Sequence, residues 1–149
     1  MDKELKKLKP ELLWTRFSEI CAVPHPSHHE EKIREYIVGF AKAHKLDYTV
    51  DAGPNIIIRK PATPGMENRK TVVLQAHLDM VPQKNSDKEF DFEKDPIEAY
   101  IDGEWVTANG TTLGADNGIG ASNTAPSRHS SRPPRRPAWT ALSPCGPVS

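Results

Sequence analysis

Apolar residues recur at the spacing of a helix in two segments near the amino terminus. The first segment follows Pro10, a residue tolerated in the first helical turn, and continues to about Ala22. The second begins behind Ser27, where the sequence Ser-His-His-Glu has the form of a capping box. Its apolar face carries Ile33, Tyr36, Ile37, Phe40, Ala41 and His44. The pattern therefore predicts two amphipathic helices.

Short β-branched runs follow the helices and predict strands. They cover residues 46–50, 56–59 and 71–76, the last of which leads directly into His77. Residues 96–101 and 104–107 flank Asp102-Gly103, which is a strong hairpin signal. No helical pattern follows Gly120, so we expect no helix after that residue.

The composition changes abruptly near residue 121. Residues 122–149 contain six prolines and four arginines but no Asp, Glu or Lys, whereas residues 1–121 hold 16 basic and 20 acidic residues. A proline-rich, low-complexity segment cannot bury enough apolar surface to offset its chain entropy. We therefore expect a folded domain over 1–121 and a disordered tail over 122–149. The abrupt change also indicates that the tail is an out-of-frame translation.

Charge and hydropathy exclude several classes of protein. The mildly acidic body gives no electrostatic reason to expect nucleic acid, and the tail arginines lack interleaved aromatic residues. No apolar run is long enough to cross a membrane, and the charged amino terminus does not resemble a secretory signal. Cys21 and Cys145 fit neither a disulfide framework nor a zinc-ribbon spacing. These features predict a soluble, cytosolic protein.

The strand over 71–76 ends in two residues suited to metal chemistry, His77 and Asp79. Successive side chains of an extended chain alternate between faces, so these two point the same way. An imidazole can then bind a metal through one nitrogen while the carboxylate orients the ring. A histidine and an aspartate two positions apart often occur by chance. The alternative is that His77 is a buried, hydrogen-bonded histidine and that Asp79 starts a turn.

A second carboxylate, Asp116, lies about forty residues later in the glycine-dense segment 110–120. Taken alone, Asp116 could be no more than a helix cap. Together with His77, it supplies part of a dinuclear hydrolase site, which needs a carboxylate to bridge two metals. The surrounding glycines would let the backbone approach the ions. The histidines at 25, 28 and 29 surround a predicted helix start and are more typical of turn and cap residues than of ligands.

Three segments, 20–30, 72–84 and 101–120, give the chain a specific family resemblance. They resemble the N-terminal part of aminoacyl-histidine dipeptidases, which belong to the carnosinase and aminoacylase-related zinc metallopeptidases. The resemblance implies an α/β fold: an incomplete zinc-exopeptidase-like catalytic domain, with helices flanking a mixed sheet and one β-hairpin. It also implies that His77 binds one zinc ion, that Asp116 bridges two, and that Asp79 is the catalytic-site carboxylate that orients His77.

The resemblance ends at Gly120 or Ala121. Family members continue with a Glu-Glu pair, a further Asp and a C-terminal His, which complete the two zinc sites and supply the general base. None has a counterpart in the tail, whose only imidazole is His129. The family also forms homodimers through a domain that this chain lacks. We therefore expect a fragment of a dipeptidase for Xaa-His substrates such as β-alanyl-histidine, inactive in this form. Two alternatives remain. The chain could be an inactive remnant without function, or part of another exopeptidase or aminoacylase of the same architecture.

Overall fold

The computed structural model describes residues 4–124 and 138–143, the latter through their backbone alone. A short 3-10 helix, Leu5–Lys7, precedes the helices α1 (Glu11–Cys21) and α2 (Glu31–Ala43). The strands β1 (Asp47–Val50), β2 (Ile56–Lys60) and β3 (Val72–His77) follow, and then the hairpin of β4 (Ala99–Asp102) and β5 (Trp105–Ala108). Helix α3 (Ala115–Thr124) and strand β6 (Ala138–Ser143) come last. The two predicted helices, the three strands and the hairpin are all present, although several of their ends differ from the predicted ones.

Four strands form a mixed sheet in the order β1-β2-β6-β3, while β4 and β5 pair only with each other. Strand β6 is antiparallel to β2 and parallel to β3. A strand over residues 138–143 was not expected, because the whole tail was predicted to be disordered. These six residues take the position between β2 and β3, where both neighbours offer backbone hydrogen-bonding groups. Residues 125–137, which include His129, and 144–149 lie outside the described part of the chain.

The structure corrects the expectation that no helix follows Gly120. Helix α3 continues to Thr124 and therefore crosses the expected domain boundary at 121. Its residues Ala121, Ser122 and Thr124 are buried. Glycines lower helix propensity, but packing of the helix against α1 overrides that preference.

The core consists of two apolar clusters. One lies between the helices and the four-stranded sheet and comprises Ile20, Ile33, Ile37, Ala41, Ile56, Ile58, Ala76, Leu78 and Ala121. The other connects α1 to the hairpin and comprises Leu5, Phe17, Cys21, Met80, Ile97, Ala99 and Ala108. Leu78 and Met80 belong to different clusters, so the segment that follows β3 is held by both.

Ser27 does not cap α2, contrary to the capping-box prediction. The helix begins at Glu31, its N-cap is Glu30, and no side chain caps it. Glu30 instead accepts a hydrogen bond from the backbone N–H of His28 at 2.7 Å. The Ser27 hydroxyl has a different acceptor, the carboxylate of Asp79. A cap side chain accepts from the N–H groups of the first helical turn, but this helix begins four residues after Ser27, so the Ser27 hydroxyl is not at the capping position.

Candidate metal centre

His77 is the last residue of β3, and Asp79 follows it at the carboxyl end of the strand. The intervening Leu78 and the preceding Ala76 are buried in the core, so the two polar side chains lie on the opposite face. The His77 Nδ1 atom lies 3.0 Å from Asp79 Oδ1 and also 3.0 Å from the Asp79 backbone oxygen. The Nδ1–H group therefore donates to Asp79, which leaves Nε2 on the outer side of the ring.

Asp116 reaches the outer nitrogen of the same ring. Its Oδ1 atom lies 3.1 Å from His77 Nε2, although the two residues are 39 positions apart. Asp116 and Asn117 have non-helical dihedral angles, so the regular part of α3 begins at Gly118. The Asp116 side chain is 96% exposed, which leaves its carboxylate accessible from solvent. The structure thus brings together all three site residues that the sequence singled out.

The backbone on both sides of Asp116 packs closely against the core. Gly114 has a φ of +74°, and a Cβ atom at this position would lie 3.1 Å from Met80 Sδ and 3.3 Å from Met80 Cβ. Gly118 is similarly tight, because a Cβ there would lie 3.0 Å from a ring carbon of Phe17. We expected these glycines to let the backbone approach metal ions. In the described residues they let the loop pack closely against Met80 and Phe17, and their role toward metal ions stays a prediction.

Two carboxylates flank the His77 imidazole and set its electrostatics. Partial burial of the ring disfavours its charged form and acts to lower the pKa. The hydrogen bonds to Asp116 and Asp79 outweigh this effect, so the pKa of His77 is raised above its ordinary value. Both carboxylates therefore favour the protonated form of the imidazole.

The other histidines near the start of α2 do not join this group. His25 is buried, its Nδ1 contacts the backbone oxygen of Val23, and burial lowers its pKa. His29 is exposed and lies 3.7 Å from a carboxylate oxygen of Glu93. Across residues 4–124 and 138–143, no group of three or more His, Cys, Asp or Glu side chains is arranged to hold a metal ion.

The spacing of the two outer donors fits a shared metal ion. Nitrogen and oxygen ligands lie about 2.0–2.2 Å from zinc, so two of them on one ideal tetrahedral ion are about 3.3–3.6 Å apart. The distance between His77 Nε2 and Asp116 Oδ1 is 3.1 Å. The two atoms would have to separate by only about 0.2 Å to bind one ion with this geometry. A structural zinc site nevertheless needs four ligands and a catalytic one needs three. The described residues thus offer two candidate ligands, fewer than either kind of zinc site needs.

Comparison with known proteins gives a consistent picture. The chain is 67% identical over 117 residues to the cytosol non-specific dipeptidase of Escherichia coli, a match that covers 78% of this chain and 24% of that protein. The crystal structure of aminoacylhistidine dipeptidase from Vibrio alginolyticus superposes with a TM-score of 0.91 at 50% identity, covering 99% of this chain and 30% of that one. The resemblance to aminoacyl-histidine dipeptidases is confirmed. This chain spans about a quarter to a third of the length of these dipeptidases.

A more distant structure has the same fold. A Bacillus subtilis protein, described as a dinuclear metal binding peptidase of the M20 family, superposes with a TM-score of 0.52 at 15% identity and covers 97% of this chain and 36% of that one. No family model matches the chain. Within the described residues, no helix is long and apolar enough to cross a membrane. The superpositions on these solved structures confirm the α/β fold with helices flanking a mixed sheet.

Sequence reasoning missed one residue of the site, Ser27. Its hydroxyl donates to Asp79 Oδ2 at 2.6 Å across 52 positions of sequence. The only local signal at Ser27 was the capping pattern with Glu30, and that pattern favoured a different partner.

Proposed function

We propose that residues 1–121 form the N-terminal part of the catalytic domain of a zinc-dependent cytosolic dipeptidase that cleaves Xaa-His substrates. The proposal rests on one observation, the 3.1 Å contact between His77 Nε2 and Asp116 Oδ1. The dipeptidase activity of the two similar proteins supports the reaction class, and the name of the Vibrio alginolyticus enzyme supports histidine-containing dipeptides.

Each residue of the site has a distinct role in this proposal. His77 Nε2 and the Asp116 carboxylate are metal ligands, and the exposed second oxygen of Asp116 is open to a second ion. Asp79 accepts the Nδ1 proton and so keeps the Nε2 lone pair directed outward. Bound zinc would supply an activated water and polarise the scissile carbonyl.

Metal and proton compete for the same position between His77 and Asp116. Because the hydrogen bonds of the two carboxylates raise the pKa of His77, protonation opposes binding up to a higher pH than for an ordinary histidine. We therefore expect zinc affinity to increase with pH until the raised pKa is passed. Titrations of zinc at several pH values, compared with an unstructured histidine peptide, measure this shift. An unshifted profile would contradict the electrostatic account.

The chain itself is proposed to be inactive. The described residues offer one histidine and two carboxylates at the site, and Asp79 is engaged with His77 and Ser27. The family resemblance implies that the general base is a Glu of the Glu-Glu pair, and residues 122–149 contain no Glu. Loss of a general base alone typically reduces the rate by about 10²–10⁴.

A chimera tests the function directly. Residues 1–120 of this chain replace the matching segment of the E. coli dipeptidase, and hydrolysis of β-alanyl-histidine is compared with that of glycyl-leucine. We expect an active chimera that loses activity in His77→Ala and Asp116→Ala. His44→Ala is the matched control, because this imidazole stacks on Phe40 at the end of α2. An inactive chimera, or one that tolerates Asp116→Ala, would refute the proposal.

The origin of the tail is a separate proposal. Its support is the change near residue 121 to a composition rich in Pro, Arg and Ser and free of acidic residues. The nucleotide sequence beyond codon 121, read in the other two frames, should encode a helix of small and apolar residues followed by a Glu-Glu pair. If neither frame does, the tail is not an out-of-frame translation.

A further inference from the structure

The segment before α2 lies alongside the residues that follow β3. Pro26 and Met80 form an isolated parallel bridge. The Ser27 N–H donates to the Met80 oxygen at 3.0 Å, and the Met80 N–H donates to the His25 oxygen at 3.1 Å. Two backbone hydrogen bonds thus fasten the residue directly after Asp79, and they bring the Ser27 side chain to the metal centre.

The Ser27 hydroxyl has two acceptors within reach. Its Oγ atom lies 2.6 Å from Asp79 Oδ2 and 3.2 Å from the Met80 oxygen. A hydroxyl has only one proton, and the shorter contact to the charged oxygen is the stronger one. Asp79 is 4% exposed, so water contributes little to holding its carboxylate. The hydroxyl therefore fixes one oxygen of Asp79, while the other oxygen accepts from His77.

We propose that Ser27 is a positioning residue of the metal centre. Its hydroxyl sets the orientation of the Asp79 carboxylate, and Asp79 in turn holds the His77 ring with Nε2 directed toward Asp116. The part of the inference that concerns metal affinity rests on the proposed function. The part that concerns the orientation of His77 does not, because all of these contacts exist without a metal.

The size of the effect follows from the second acceptor of His77. Its Nδ1 is also 3.0 Å from the Asp79 backbone oxygen, which remains when the carboxylate loses its support. Removal of the Ser27 hydroxyl should therefore weaken the hydrogen bond of His77 without abolishing it. We expect the Nδ1 proton to exchange with solvent about fivefold faster, the factor for one hydrogen bond of ordinary net strength.

Nuclear magnetic resonance of the 149-residue chain, labelled with ¹⁵N at histidine, measures this exchange. Ser27→Ala should accelerate exchange of the His77 Nδ1 proton. Ser27→Thr keeps the hydroxyl, so its exchange rate should equal that of the starting chain. Ser122→Ala is the matched control: its hydroxyl is also buried, but it donates to Gly118 within α3 at 2.7 Å. Backbone amide spectra verify that each variant is folded. Should Ser27→Ala fail to fold, Ser27→Cys has nearly the same size and a weaker donor, so it gives the same comparison.

Zinc affinity of the chimera is the second readout. Loss of an outer partner of a metal ligand, here Asp79, typically costs 10–100-fold in affinity. Ser27 acts through Asp79, so we expect at most about 10-fold for Ser27→Ala. If no variant of the chimera binds zinc, the proposed function fails, while the proton exchange of the 149-residue chain still decides the role of Ser27. The positioning role is refuted if Ser27→Ala exchanges no faster than Ser122→Ala. It is equally refuted if Nδ1 is unprotected in the starting chain or if Ser27→Thr behaves like Ser27→Ala.

Discussion

Substitution of Gly114 by alanine should destabilise the chain far more than the same change at Gly103 or Gly39. The φ of +74° forces a left-handed conformation on the new residue, which costs about 1–2 kcal/mol. The added Cβ would also lie 3.1 Å from Met80 Sδ and 3.3 Å from Met80 Cβ. Met80 is buried, and its Cβ cannot move without the backbone, so overpacking adds about 1–3 kcal/mol. We expect a total loss of about 2–5 kcal/mol.

Two other glycines separate these contributions. Gly103, in the hairpin turn, has a φ of +59° but nothing within 4 Å of an added Cβ, so Gly103→Ala measures the backbone cost alone. Gly39 lies inside α2 with nothing within 4 Å, and Gly39→Ala should stabilise the chain by about 0.5–1 kcal/mol. Urea unfolding followed by circular dichroism gives each free energy of unfolding. If Gly114→Ala lowers the free energy of unfolding no more than Gly103→Ala does, the loop that carries Asp116 is not packed closely against Met80.

Two further predictions concern the helices. Tyr36 donates to Glu19 at 2.6 Å; burial acts to raise the pKa of Glu19, but the hydrogen bonds from Tyr36 and Arg16 lower it overall. At a pH above the ordinary pKa of glutamate, Tyr36→Phe should therefore lower the free energy of unfolding in urea by about 1 kcal/mol. This loss should disappear as the pH falls through the lowered pKa of Glu19. A loss that does not depend on pH would contradict the hydrogen bond between Tyr36 and Glu19. Burial raises the pKa of Cys21 to about 12. In a Cys145→Ser background, alkylation of Cys21 at about pH 8 should therefore be slow in the folded chain and rapid in urea. Equal rates would show that Cys21 is accessible in the folded chain.

Local patterns were sufficient to predict most of the framework. The helical periodicity before Ala22 and the Asp102-Gly103 turn each specify a structure through neighbouring residues alone. The His77 and Asp79 pair was predictable for the same reason, since the alternation of a strand places both on one face. The glycine-dense segment made Asp116 a candidate, but its role beside His77 required the resemblance to a family, because sequence spacing does not indicate which loop returns to β3.

Interactions between distant segments account for what the sequence did not reveal. Ser27 satisfied a local capping pattern, but its hydroxyl bonds to a carboxylate 52 positions away. The last turn of α3 follows two glycines and precedes a proline-rich segment, and it is stabilised by packing on α1 rather than by propensity. Strand β6 pairs with two strands that are distant in sequence, so no local signal identifies it.

A zinc titration of the 149-residue chain tests whether His77 and Asp116 bind one shared metal ion. The His77→Ala and Asp116→Ala variants and the chimera are titrated beside it. We expect the chain to bind zinc at least about 10²-fold more weakly than the chimera, because its ligand shell is incomplete. Either substitution should remove the remaining affinity, since both ligands contact the same position. Affinity equal to that of the chimera, or binding that survives Asp116→Ala, would contradict the claim that His77 and Asp116 form one part of a shared metal centre.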